Sequence, residues 1–390
     1  MSRIDELIKK RSKEEVQIKP LWELTIWDKK FNSVDRSCQT KINPHNYLLA
    51  AELRSLEVEG GNVKLLTTSI SEIYTTEGLA GDNLKEGEIV SIPWGGNAIV
   101  QYYKGKYVTA DNRIATSVDT SILDNKFLYY LLSNRQDEIA SFYRGSGIKH
   151  PDMSKVLNMQ IPVPPLEVQR EIVRVMDHFT LLSAELSAEL KARKKQYEYY
   201  REELLKFDSD ADIYEIGEIC TLSAGGDVPK DALSGAQTEE YPIPIISNGI
   251  GEKGFYGYTN TARVNEPCVT VAARGAGVGH VTYRDYPFFP IIRLVSVIPN
   301  EKINPKFLYY TMQRLKFEPT QGGIPQLTVP MISKYKISVP SMDKQMKIVN
   351  VLDNFESICS DLSIGLPAEI EARQKQYEYY RDKLLSFKEA

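Results

Sequence analysis

The chain has 390 residues, 42% of them apolar and 26% charged, with a formal net charge of −4, a balance ordinary for a soluble globular protein. No apolar run nears the roughly 18 residues of a membrane span, and the opening MSRIDELIKKRSKEE lacks the apolar core of a signal peptide. Four scattered cysteines, Cys38, Cys220, Cys268 and Cys359, form no CxxC pair, so buried free thiols in a reducing cytoplasm are expected rather than disulfides or zinc.

Taken in chain order, residues 1–17 read as a helical stub, because DELIKK (5–10) resembles EELLKF (202–207). Residues 18–164 read as a globular unit with a β-rich run at Gly87–Trp94 and a helix at Asn125–Arg135. Phe127, Leu128, Leu131 and Leu132 of that helix are expected in the core. After the Pro162–Pro165 breaker, residues 165–207 contain a long helix whose seam runs Val168, Ile172, Val175, Phe179, Leu182 and Leu186. The seam then slips through Leu190 to Tyr197, Tyr200, Leu204 and Phe207.

Residues 208–340 read as a second unit, with β-rich runs at Tyr241–Ser247, Cys268–Arg274 and Ile291–Ile298 and a helix at Pro305–Leu315. Residues 341–390 carry a second helical stretch, with an expected seam at Ile348, Val351, Phe355, Ile358 and Leu362, a break at Gly365–Pro367, and a restart through Ile370, Tyr377, Tyr380, Leu384 and Phe387.

The halves repeat. KKQYEYYREELLKF (194–207) answers QKQYEYYRDKLLSF (374–387), NKFLYYLL (125–132) answers PKFLYYTM (305–312), and LWELTI (21–26) answers IGEICTL (216–222). A repeat of about 180 residues is no solenoid; it is unit, helix, unit, helix. Two such rods most simply bury their seams on each other, running antiparallel so that the unlike units sit at opposite ends. Tyr197, Tyr200, Leu204, Tyr377, Tyr380 and Leu384 are then seam residues, while Tyr199 and Tyr379 are free to face another protein.

Motifs for catalysis are absent from the sequence: no HExxH, no GxxxxGK[ST] phosphate loop, no GxSxG elbow, and no Asn/Asp-Pro-Pro-aromatic loop of a DNA amino-methyltransferase. A nuclease pairing of Asp152 with Glu189 and Lys191 would draw two of its three residues from the rod. The expectation is no catalytic residue and no metal. What remains is recognition by glycine loops bearing polar side chains: PWGGNA (93–98) with Trp94 and Asn97; FYRGSGIKH (142–150) with Arg144, Ser146 and Lys149; ISNGIGEKGFYGY (246–258) with Ser247, Asn248 and Lys253; RGAGVGH (274–280) with Arg274, Gly275 and Gly277; and TQGGIPQL (320–327) with Gln321 and Gln326. Arginine bridges acceptors on guanine, Asn and Gln do so on adenine, and lysines and backbone N–H groups hold phosphates. The net charge opposes nucleic acid, but residues 241–335 hold ten Lys/Arg against five Asp/Glu.

The doubled QYEYYR helix, the matched IPVPPLEVQREIV (161–173) and ISVPSMDKQMKIV (337–349), and the run GLPAEIEARQKQYEYYRDKLL (365–385) together resemble the specificity subunit of type I restriction–modification systems over essentially the whole chain. The resemblance implies an α/β (α+β) fold of two target recognition domains separated by two long conserved spacer helices in an antiparallel coiled coil, with pseudo-two-fold repeat. It implies double-stranded DNA as ligand, each domain reading half of a bipartite asymmetric site. Two modification (methyltransferase) subunits and two restriction (endonuclease/translocase) subunits are the implied partners, without a membrane and in the cytoplasm. S-adenosylmethionine, ATP and Mg would sit on those partners, with no cofactor on this chain. RGAGVGH is the loop the resemblance places against DNA; in the first unit PWGGNA is the weaker match. The competing readings are a coiled-coil protein-interaction scaffold without DNA readout and a self-contained methyltransferase.

Overall fold

The computed structural model describes residues 16–207, 210–320, 323–361 and 363–387. The stub expected over residues 1–17, apart from its last two residues, and seam residue Leu362 lie outside them. Contacts divide the chain into two units, Met1–Glu185 with Ile370–Ala390, and Leu186–Glu369.

The first unit begins with β1 (Gln17–Pro20), a helical turn at Leu21–Leu24 and β2 (Thr25–Trp27). Strands β3 (Val63–Leu66), β4 (Tyr74–Thr75), β5 (Lys85–Pro93), β6 (Gln101–Thr109) and β7 (Asn112–Ser117) follow, then α1 (Asn125–Asn134) and β8 (Gln160–Val163). Six strands form one sheet in the order β2-β7-β5-β6-β3-β4, with β3 parallel to β6 and the other neighbours antiparallel. Central β5 buries Ile89–Pro93, as expected of a strand covered on both faces. The side chains of Phe127, Leu128, Leu131 and Leu132 on α1 are at most 1% exposed, so the core expected from that motif is present. β1 pairs with β8, bringing the unit's start beside the foot of α2 (Leu166–Leu204), a single 39-residue helix.

The second unit opens in the same way, with β9 (Asp212–Glu215), a turn at Ile216–Ile219 and β10 (Cys220–Ala224). It continues with β11 (Ile243–Ile246), β12 (Phe255–Thr259), β13 (Cys268–Ala272), β14 (Val281–Arg284), β15 (Phe289–Pro290) and β16 (Leu294–Pro299). After α3 (Pro305–Gln313), β17 (Lys336–Val339) pairs with β9 and leads into α4 (Met342–Ser360) and α5 (Leu366–Leu385). Its other strands form two sheets, β10-β16-β13-β14 and β12-β11-β15.

Each unit anchors its helix with the same buried glutamine. Gln169 Oε1 accepts the Asp124 N–H at 2.9 Å, and its Nε2 donates to the Ile122 and Pro164 carbonyls, both at 2.8 Å. Gln345 Oε1 accepts the Asn304 N–H at 2.8 Å, and its Nε2 donates to the Lys302 and Pro340 carbonyls at 3.0 and 2.8 Å. A carboxylate one face along completes each anchor. Asp177 takes Lys126 at 2.8 Å and the Tyr130 hydroxyl at 2.6 Å; Asp353 takes Lys306 and the Tyr310 hydroxyl, both at 2.7 Å. Burial and these carboxylates raise the Tyr130 and Tyr310 hydroxyls above the ordinary phenol range.

Within the first unit Tyr380 stacks on Phe179 at 5.8 Å, and within the second Tyr200 stacks on Phe355 at 5.5 Å. One expectation about the helices changes: the expected seam of α4 is rotated. Val351 and Ile358 are 40% and 42% exposed, whereas Gln345, Ile348, Val349, Leu352 and Cys359 are buried. Helix α4 turns that stripe toward its own unit's core, and that packing outweighs a heptad read from sequence alone.

Candidate nucleic-acid interface

In the first unit the chain leaves β5 at Pro93 and crosses the loop end of the sheet. Trp94 N–H donates to the Asp111 carbonyl at 2.9 Å, and Gly96 N–H to the Lys149 carbonyl at 3.0 Å. Tyr143 donates its hydroxyl proton to the Pro93 carbonyl at 2.6 Å, and the Trp94 carbonyl accepts from His150 Nδ1 at 2.7 Å. These bonds bring PWGGNA and FYRGSGIKH, remote in sequence, into one cluster. Glycine is required at its centre: Gly96 has φ +101°, and a Cβ on Gly95 would fall 2.8 Å from the Ile148 side chain.

The half-buried Trp94 ring carries Lys29 Nζ 5.0 Å from its centroid and Arg113 Cζ at 5.1 Å. Arg113 is fully buried, bonded to Asp28 at 2.8 Å and also to Asp111. Burial raises the Asp28 carboxyl above the ordinary carboxylate range, opposed by the Arg113 charge beside it. Asn97, Arg144, Ser146 and Lys149 stand exposed around this platform, with Arg144 3.7 Å from Asp152.

The second unit builds the corresponding place by the same bonds. Ala273 N–H donates to the Arg293 carbonyl at 3.2 Å, and Gly275 N–H to the Pro325 carbonyl at 3.2 Å. Gly275, at φ +88°, thus occupies the position of Gly96, and the glycine loop after β13 matches PWGGNA after β5 in main-chain terms. Three loops meet here. Asn248 Nδ2 donates to the Arg274 carbonyl at 2.7 Å, a Cβ on Gly277 would fall 2.9 Å from Ile250, and Leu327 N–H donates to the Ala273 carbonyl at 2.8 Å. Ser247 is turned back onto the Gly254 carbonyl at 3.1 Å, and Lys253 is exposed. Gln326 accepts from Arg293 Nη1 at 2.7 Å, while Gln321 lies outside the described residues.

Sequence reading missed the charged group at Trp94 (Lys29, and Arg113 with its partner Asp28) and gave Arg293 no role beyond its charge. An arginine inside the β-run NRIATS has no local mark of burial. The run Ile291–Ile298, expected as a strand, begins only at Leu294; Ile292 and Arg293 instead adopt φ +46° and +59°. Nothing in a β-branched run signals such a turn.

Among the described residues no group of three or more His, Cys, Asp and Glu could hold a metal ion, and no helix is long and apolar enough to cross a membrane. All four cysteines are free, and burial pushes the Cys220 and Cys268 thiols up to about 12.

Fold and loop clusters together define a duplicated α/β protein in which one helix-anchored frame carries two different polar loop surfaces. The family model of the type I restriction modification DNA specificity domain matches residues 47–193 and again 208–372, and the chain belongs to that family. It is 36% identical over 320 residues to a putative type I specificity subunit of Mycoplasma pneumoniae, covering 77% of this chain and 94% of that relative. It is 32% identical over 305 residues to the specificity subunit of an Escherichia coli type I restriction enzyme, covering 70% of this chain and 74% of that one. The S subunit of a type I system from M. genitalium has the same fold, with TM-score 0.64 at 16% identity over 97% of this chain and 98% of that structure. The protein is therefore a type I specificity subunit with two DNA specificity domains, and not the catalytic component.

Proposed function

We propose that each domain reads one half of a bipartite, asymmetric double-stranded DNA site, and that the paired helices set the gap between the halves. The observation carrying this is the duplicated frame with unlike surfaces: Gly96 and Gly275 make the same main-chain bond, while the side chains around them differ. Trp94, Asn97, Arg144, Ser146 and Lys149 would serve one half-site; Ser247, Asn248, Lys253, Arg274, Gly275, Gly277, Gln321 and Gln326 the other. Arg274 supplies a guanidinium suited to guanine acceptors, and Lys149 and Lys253 suit phosphates.

Two modification and two restriction subunits complete the assembly in this reading, carrying S-adenosylmethionine, ATP and Mg in the cytoplasm. Partner subunits also relieve the charge difficulty, since they contribute phosphate contacts that a chain of net charge −4 lacks. Exposed Tyr199 and Tyr379 on the helices are the residues we assign to docking, being 62% and 53% exposed.

The test is methylome mapping in cells that carry this chain with its modification partner. Replacing residues 208–335 with another family member's second domain should change one half-site and leave the other; an unchanged motif rejects the assignment. Four residues inserted near Ala188 lengthen the rod by about 6 Å. The gap between half-sites should widen, and an unaltered gap in an active complex removes the ruler.

A further inference from the structure

We infer that the turn Ile292–Arg293 is a sequence-reading element of the second domain, with Arg293 contacting a base edge and Ile292 packing beside it. This rests on the half-site reading above and adds to it residues that the loop motifs do not contain.

The backbone supplies the first argument. Ile292 and Arg293 are the non-glycine residues with positive φ among the described residues, at +46° and +59°. Left-handed backbone is strained for an L-residue, most of all for a β-branched side chain, and glycine would adopt it freely. Burial does not explain why large side chains stand there. Ile292 is 47% exposed, and Arg293 is exposed as well.

The turn is also held firmly. Ile292 N–H donates to the Gly226 carbonyl at 3.0 Å, the Arg293 carbonyl accepts from Ala273 at 3.2 Å, and Gly226 N–H donates to the Pro290 carbonyl at 3.3 Å. Gly225 lies so close that a Cβ would come within 2.8 Å of the Ile291 nitrogen. Two exposed side chains are therefore presented from a fixed backbone, the arrangement that ordered recognition needs.

Placement supplies the second argument. Arg293 Nη1 donates to Gln326 Oε1 at 2.7 Å, and Gln326 bridges to Arg274 through the main chain. Arg274, Arg293 and Gln326 thus form one surface, and the bond to Gln326 engages one of five guanidinium N–H donors. A planar fork steadied by an amide is suited to the O6 and N7 acceptors of guanine, and an exposed isoleucine to a thymine methyl or an opened base step. In the first domain the main-chain counterpart is Asp111, whose carbonyl accepts from Trp94 at 2.9 Å. Its carboxylate is tied to Arg113. One position thus carries opposite charges in the two domains, as unlike half-sites would require.

The experiment uses the full chain assembled with its modification subunits, with methylation read on a randomised DNA library. Arg293→Ala should relax the preference at one position of the second domain's half-site by about tenfold or more, leaving the first half-site unchanged. Arg293→Lys should fail to restore it, because a lysine lacks the planar fork. Ile292→Gly should leave thermal stability equal or higher while weakening discrimination at a neighbouring position. An unchanged motif in Arg293→Ala and Ile292→Gly overturns the inference alone. Equal weakening of both half-sites also overturns it, marking a general contact or a folding defect. A wild-type complex that methylates without sequence preference overturns the half-site reading and this inference together.

Discussion

In the first domain the arginine at the loop end of the sheet, Arg113, is fully buried and bonded to Asp28 and Asp111 under the Trp94 ring. In the second domain Arg274 is half-buried and Arg293 exposed at the corresponding end, above an apolar sheet that includes Val295 and Val297. The frames are alike down to individual hydrogen bonds; the treatment of charge is opposite. One domain uses its guanidinium to hold an aromatic platform in place, and the other leaves guanidinium groups at the surface. A duplicated scaffold can therefore keep its folding chemistry and change its recognition chemistry, because the conserved bonds are main-chain and helix-foot bonds distinct from the loop side chains.

Several substitutions would break or sharpen this contrast. The largest effect is expected from Arg113→Met, which leaves Asp28 buried without its ion partner and should cost about 3–5 kcal/mol in denaturant unfolding. Arg274→Met should cost less than about 0.5 kcal/mol, as a change away from a buried network does. Equal losses at the two sites would show that the contrast is false. Next come Gln169→Ala and Gln345→Ala. Each removes three hydrogen bonds to buried or half-buried main chain. Each should cost about 3 kcal/mol by the same measurement. A silent change at one of them would mean that the frames are less alike than their geometry. Smaller than the glutamine losses are those of Gly96→Ala and Gly275→Ala, at about 1 kcal/mol each, since alanine resists their positive φ. Methylation mapping of these two variants should reveal disturbance confined to one half-site each, a different one in each case.

Much of the fold was legible. The helices α1 and α3 announce themselves by their apolar FLYY faces, whereas the caps at Asp124 and Asn304, whose side chains accept from the first-turn N–H groups, emerge only in the structure. The repeat of FLYY and QYEYYR betrayed the duplication, and a Gly/Pro-free stretch betrayed α2. The α4 seam misled because apolar residues at both 348/349 and 351/352 satisfy a helical period, and only the neighbouring core selects Ile348, Val349 and Leu352. At the loops, the sequence marked the glycines but not their company. That Gly96 meets Lys149, or Gly275 meets Pro325, depends on strands paired far apart in the chain.

By itself, then, the sequence determined the duplication, the helical rods and the core face of α1. Those properties follow from local periodicity and breaker residues, which act within a few turns of chain. Tertiary structure alone decided which loops share a surface, which arginine is buried beneath an aromatic ring, and where two bulky residues are held in left-handed backbone. Each of these depends on long-range strand pairing, whose energy is distributed over residues that carry no local trace of their partners.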